Sequence, residues 1–198
     1  MSRKYVLVAL ACVALAGNVH AQAVEPAPPP AATQTRPEAP PEPKVVPIEV
    51  AAGKVYIDVM VNGKGPFCFA LDTGAPPTVI DLDLAKELGL QSLQMGEIGG
   101  AGEGSAAMGM IGEVTLEFGG LSIKRKQMAA VDLTGTVSQV GGRKIRGLIG
   151  NDWVTSRVVE IDYAHHTMRV WPSQGWEYKG QGTIVPTRLR GYTFVEGK

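Results

Sequence analysis

The sequence predicts a mainly β fold, a small β-barrel or sandwich with one or two short helices. Three observations carry that expectation. From Ile48 onward, short apolar runs with alternating polarity are punctuated by glycine, as in half-buried strands joined by tight turns. Helical periodicity is confined to short stretches. About 150 residues follow the proline-rich N-terminal region, enough for one hydrophobic core and hardly for two. No internal repeat interrupts this pattern.

The first 47 residues have a different texture. Arg3 and Lys4 precede an almost unbroken apolar run from Tyr5 to Gly17, and Val19-His20-Ala21 offers a small-residue cleavage site. This is the pattern of a signal peptide over residues 1–21, with a mature chain starting near Gln22. The chain is therefore expected to be exported, to the periplasm or beyond. The alternative is an anchor formed by an uncleaved N-terminal segment, but the run falls short of the roughly 20 apolar residues that a membrane span needs. Cys12 follows Ala9-Leu10-Ala11, a poor lipoprotein site, so lipidation is not expected. Residues 22–47 hold nine of the fourteen prolines and read as an extended, disordered linker. At about 3.1 Å per residue its reach is at most roughly 80 Å. It serves as a spacer or is a passive tail.

Charge excludes several functions. Without residues 1–21 the chain has 17 Lys and Arg against 19 Asp and Glu, a net charge of −2. That balance supplies neither the basic surface of a nucleic-acid binder nor a polybasic membrane patch. Only Cys68 survives processing, which rules out an intrachain disulfide, and it is expected to pack as a small hydrophobe.

Within residues 48–198 the elements can be read in order. In "KVYIDVMVNGKGPFCFALD", Val55, Ile57, Val59 and Val61 share one face, Asn62-Gly63 begins a turn, and Phe67, Phe69 and Leu71 line one side of the returning strand. Asp81 is placed to cap a helix over "LDLAKEL", with Leu84, Ala85 and Leu88 on one stripe and Gly89 at its end. "EVTLEFGGLSIKRKQMAAVD" predicts a hairpin turning at Gly119-Gly120, and "RVVEIDYAHHTMRVW" another turning at Ala164-His165. Arg143, Lys144 and Arg146 read as a solvated loop face. Asp152 reads as the cap of a short helix beginning near Trp153.

Few residues can carry chemistry. His165 and His166 are adjacent, so on a strand they point apart and cannot easily share a metal, and exposed turn residues are the simpler reading. No Gly-x-Ser-x-Gly elbow is present, and "GGAGEGS" at 99–105 lacks the Lys-Ser/Thr ending of a phosphate loop. Asp72 remains, at the end of an apolar strand and followed by Thr73-Gly74. Taken alone, such an Asp is an ordinary Asx-turn residue.

Its surroundings change that weighting. "FALDTGAPPTVI", residues 69–80, resembles the active-site segment of retroviral-type (retropepsin-like) aspartic proteases. About 75 residues later "IRGLIGNDWVTSRVVEIDYAHHTMRVW" is similar to the family's Gly-apolar-apolar-Gly segment with its short helix and closing hairpin. Between them, Gly99, Gly100, Gly102 and Gly104 occupy the place of the family's flap. The resemblance covers residues 48–171, and is greatest to the single-domain, exported bacterial members.

It implies a small closed β-barrel of the retropepsin type over residues 48–198, with 172–198 as a C-terminal extension, active as a two-fold dimer. The activity implied is endopeptidase cleavage of polypeptide, with Asp72 catalytic and Thr73, Gly74 and Ala75 supporting it. Gly147, Leu148, Ile149 and Gly150 form the second motif, folding across the strand that bears the catalytic loop. Such chemistry needs two carboxylates sharing one proton and one water. "VDLTGT" at 131–136 is a poor second motif, because Leu133 separates Asp132 from Thr134-Gly135. The second carboxylate is then Asp72 of another copy, brought opposite by two-fold symmetry. No cofactor is implied, since the nucleophile is water. Pro76 stands where the family has a small polar residue, and with Pro77 it stiffens the loop. A non-catalytic peptide-binding module of the same fold is the alternative reading.

Overall fold

The computed structural model describes residues 42–90, 92–99, 105–134, 139–140, 143–190 and 192–195. The expected signal peptide and most of the proline-rich segment lie outside these residues. The folded part begins earlier than expected: β1 (Lys44–Pro47) takes the last four residues of the anticipated linker and pairs with a late strand. Val46, only 1% exposed, provides the reason, since its side chain enters the main core.

β2 (Glu49–Ala51) leads into β3 (Lys54–Val61) and β4 (Lys64–Leu71). The β3–β4 turn is Asn62-Gly63, with φ of 48° and 74°, the left-handed pair that matches strand twist. Register places Val59 opposite Phe67, Ile57 opposite Phe69 and Val55 opposite Leu71, as the alternation predicts. Both faces of this hairpin are covered, however. Ile57 and Phe69 enter the larger core, while Tyr56, Cys68 and Ala70 enter a second cluster on the opposite side. Strands in the middle of a sheet lose the polar alternation that marks a surface hairpin.

β5 (Val79–Asp81) runs into α1 (Leu82–Glu87). Leu84 and Ala85 are buried, and the helix ends in a paired cap: Gly89 N–H donates to the Lys86 carbonyl and Leu90 N–H to that of Ala85. Then follow β6 (Ser92–Gly99), β7 (Ser105–Ile111), β8 (Val114–Phe118), β9 (Leu121–Arg125) and β10 (Met128–Val131). The β8–β9 hairpin turns at Gly119-Gly120. Two short strands, β11 (Gln139–Val140) and β12 (Arg143–Lys144), pair with each other before β13 (Gly147–Ile149) and α2 (Asn151–Val154). The chain ends in β14 (Arg157–Asp162), β15 (Thr167–Pro172), β16 (Thr187–Arg190) and β17 (Tyr192–Val195).

The main sheet has ten strands in the order β6-β7-β10-β5-β13-β4-β3-β8-β9, with β2 added against β3. Instead of the expected closed ring, the described strands pair as an open path with β6 and β9 at its ends. A second sheet, β1-β15-β14, covers the core with Val46, Met168 and Val170. Trp153 is the largest side chain sealed there, edge-on to Phe118 with ring centres 5.3 Å apart. The β14–β15 turn leaves His165 and His166 exposed, and His165 Nδ1 lies 2.7 Å from Asp162 Oδ2. Residues 182–186 form no strand, whereas β16 and β17 pair with each other as a hairpin.

Candidate active site

β4 and β5 are consecutive in the chain but not neighbours in the sheet. β13 lies between them, parallel to β4 with Ile149 opposite Leu71, and antiparallel to β5 with Leu148 opposite Val79. The loop joining β4 to β5, residues 72–78, therefore spans the end of β13. Its first residue extends the ladder, because Asp72 N–H donates to the Ile149 carbonyl at 2.9 Å. β13 carries Gly147, Leu148 and Ile149 across this end of β4 and β5, with Gly150 next in the chain, and both glycines are sterically required. A Cβ on Gly147 would lie 2.0 Å from the Phe69 ring, and one on Gly150 would lie 2.5 Å from the Pro77 carbonyl carbon.

Asp72 is half-buried, and Thr73 and Gly74 are exposed beside it. Gly74 N–H donates to Asp72 Oδ1 at 2.8 Å, which restricts the carboxylate's rotation. A Cβ at residue 74 would crowd that oxygen at 3.1 Å. Ala75 N–H closes the turn onto the Asp72 carbonyl at 3.2 Å. Residues 68, 70 and 72 alternate onto one side of the chain, so Asp72 continues the face bearing Cys68 and Ala70. That face holds the second cluster, to which Ala75, Leu148, Val79 and Met108 also belong.

The back of the loop is held by α2. Asn151 N–H donates to the Ala75 carbonyl at 2.8 Å, and Asp152 N–H to that of Pro76 at 3.2 Å. Asp152 departs from its expected role. It does not cap α2, whose N-cap is Gly150; its Oδ1 accepts from both the N–H and the hydroxyl of Thr78, each at 2.8 Å. The Thr78 hydroxyl in turn accepts from Gly150 N–H at 3.0 Å, and Arg125 Nη2 reaches Asp152 Oδ2 at 3.0 Å. Sequence reading missed Thr78 and Arg125, because no local pattern connects partners so far apart in the chain. Pro76 and Pro77 are exposed, and neither needs an N–H here.

The basic residues near β13 also differ from expectation. Arg143 bridges Glu49, at 2.7 Å, and Asp58. Arg146 is largely buried, with Nη2 2.6 Å from Glu87 Oε2 and Nε 3.5 Å from Asp81 Oδ2. Asp81 occupies the N-cap position of α1 without capping it: its side chain, 1% exposed, turns to Arg146 and Lys144. A buried carboxylate favours a nearby cation over a backbone dipole.

Of the glycines expected to form a flap, Gly99 ends β6, which pairs with β7 and sets Gly99 opposite Ser105. Gly99 is exposed at the end of β6, while Gly100, Gly102 and Gly104 lie outside the described residues. β7 is tied back to the loop region through β10, which pairs with both β7 and β5. Asp132 is engaged locally, accepting from the N–H and hydroxyl of Thr134, and those bonds hold its carboxyl below the usual range. Among the described residues, no group of three or more His, Cys, Asp and Glu side chains is placed to hold a metal ion.

The Asp72 loop is thus closed by the threaded Gly-Leu-Ile-Gly segment. Residues 57–153 match the family described as aspartyl protease. Among solved structures, a retropepsin-like aspartic protease from Rickettsia conorii aligns with 18% sequence identity over 67% of this chain and 96% of that one, at a TM-score of 0.41. No curated protein matches the sequence. Among the described residues no helix is long and apolar enough to cross a membrane.

Proposed function

We propose that the protein is an exported aspartic endopeptidase acting as a two-fold dimer, with the attacking water held between two Asp72 carboxylates, one from each protomer. The observation that carries this reading is the Asp72 loop: a half-buried carboxylate oriented by Gly74 N–H and clamped from behind at Ala75, Pro76 and Thr78. Two carboxylates about 3 Å apart share a single proton. The ionised one takes a proton from water as its oxygen attacks the peptide carbonyl carbon. The protonated one gives its proton to the carbonyl oxygen. Collapse of the tetrahedral intermediate breaks the C–N bond, and the proton taken from water goes to the departing amine.

Other parts of the chain support this reading. Thr73, exposed next to Asp72, bonds across the dimer axis. The β6–β7 hairpin closes over an extended polypeptide and excludes water. The C-terminal extension takes part in the interface: Leu189, Phe194 and Val195 are all more than half exposed in the single chain. Residues 1–21 direct export to the periplasm, and the proline-rich segment spaces the domain from the envelope. A second reading, peptide binding without turnover, draws on Pro76, which removes an N–H from the edge of the loop.

Cleavage of a peptide mixture between pH 4 and 8, followed by mass spectrometry beside Asp72→Asn, tests the proposal. Cleavage lost in the variant is the expected result. Equal cleavage by both proteins removes Asp72 from the mechanism, and binding without cleavage by either favours the second reading.

A further inference from the structure

A cavity of about 570 Å³ lies between the β1-β15-β14 sheet and the start of β9. Register explains its lining. Lys44 lies opposite Val170 and Arg157 opposite Pro172, on the face of that sheet that carries Val46 and Met168 into the main core. Leu121, at the start of β9, packs against the same core and lines the cavity from the other side. The apolar walls thus continue the core, and the two basic residues stand where the sheet ends.

Arg157 is half-buried, with its guanidinium 4.9 Å from the centre of the Trp153 ring. Its Nη1 donates to the Trp153 carbonyl at 3.1 Å and to Ser156 Oγ at 2.6 Å, whereas Nε and Nη2 have no partner among the described residues. Asp152 attracts it through space but is already bound by Thr78 and Arg125. Partial burial, and after it the Arg125 guanidinium, hold Arg157 below the usual arginine range, as befits a cation short of counter-charge. Lys44 is exposed and forms no ion pair among the described residues. Against these two cations the lining sets one carboxylate, Glu42, which leaves one positive charge in excess.

We propose that this cavity binds a carboxylate carrying an apolar body, supplied by a polypeptide C-terminus with an apolar last residue or by a fatty acid. Apolar pockets of about 300–1,000 Å³ with a few charged groups are the usual form of a ligand site. The apolar body displaces water from Leu121, Val170 and Pro172. The carboxylate takes the open edge of the Arg157 fork, whose planar pair of N–H donors matches two oxygens. Lys44 adds a second positive charge at the rim, and Glu42 opposes binding there, so the fork decides the orientation. The inference is independent of cleavage at Asp72.

The test is calorimetric titration of the wild-type chain with N-acetyl-alanyl-leucine and with octanoate, each beside its uncharged amide. At least one carboxylate is expected to bind saturably, about ten-fold or more tighter than its amide, and to weaken as salt is raised. Arg157→Lys keeps the charge but loses the fork, and is expected to weaken binding about ten-fold. Lys44→Gln removes an exposed charge and no side-chain bond among the described residues, so it leaves the fold intact and weakens binding several-fold. Binding of the capped dipeptide alone assigns the site to chain ends, of octanoate alone to fatty acids, and of both to their shared chemistry. Each of these supports the site. No saturable binding of either acid, amides that bind as well as the acids, or affinities unchanged in both variants overturns it.

Discussion

Asp152 accepts both hydrogen bonds that Thr78 donates, through one carboxylate oxygen, across 74 positions of sequence. This contact joins the end of the Asp72 loop to the start of α2, and Thr78 is 4% exposed, so its donors have no ready access to water. Asp152→Ala leaves them unpaired and is expected to lower stability by about 1–3 kcal/mol in denaturant unfolding. Asp152→Asn keeps an acceptor oxygen and loses only the charge facing Arg125, so less than half of that loss is expected. Equal losses in the two variants would show that the ion pair to Arg125, rather than the Thr78 bonds, holds the loop.

Gly147 and Gly150 carry the same motif but meet different obstacles. A methyl group at 147 runs into the Phe69 ring, whereas one at 150 runs into the backbone of Pro77 and Thr78. Both substitutions to alanine are expected to destabilise by at least about 1–3 kcal/mol through overpacking. Only the first can be relieved by trimming a side chain. Thermal unfolding of Gly147→Ala with Phe69→Leu should recover part of the loss, and Gly150→Ala with Phe69→Leu should recover none.

Much of the fold was legible because its signals are local. Asn62-Gly63 and Gly119-Gly120 mark hairpins within a few residues, and alternation fixed the faces of β3 and β4. Asp72 and the Gly147–Gly150 segment were legible as a pair of motifs. What could not be read were partners chosen by tertiary proximity. Asp81 and Asp152 sit where helix caps sit, yet each turns to partners that approach only after β13 threads between β4 and β5. Arg143 and Arg146 look like a solvated run, but β3 and α1 deliver carboxylates to them. β1 was hidden in a proline-rich context because its pairing partner lies more than 100 residues away.

Burial of Cys68 and Tyr56 gives the fold an alkaline limit. Burial disfavours the thiolate and the phenolate, and both groups are pushed above their ordinary values of 9.0 and 10.0. With the folded pKa above the unfolded one, each contribution is fully present below the unfolded value and is lost as pH rises through the folded value. Stability measured by urea unfolding should therefore decline from about pH 9 upward, as the unfolded chain releases protons that the folded chain retains. Cys68→Ala should flatten the first part of that decline. An unchanged slope in the variant would assign the whole effect to Tyr56 and surface charge.

The β16–β17 hairpin presents an apolar surface. Leu189, Tyr192, Phe194 and Val195 are about half or more exposed, and the Thr193 hydroxyl donates to Asn151 Oδ1 at 3.1 Å, a polar tie to α2. A two-stranded hairpin alone is marginally stable in water, and in the proposed two-fold dimer a second protomer covers its apolar side chains. Asn151 also holds the Ala75 carbonyl, which places the tie one residue from the clamp on the Asp72 loop. Truncation after Pro172 is expected to leave a folded monomer by sedimentation and to abolish cleavage, since in the proposed mechanism one chain supplies one catalytic carboxylate. A truncated chain that remains dimeric and active would remove the hairpin from the interface and move the two-fold contact elsewhere. A truncated monomer that still cleaves would instead break the shared-carboxylate mechanism itself.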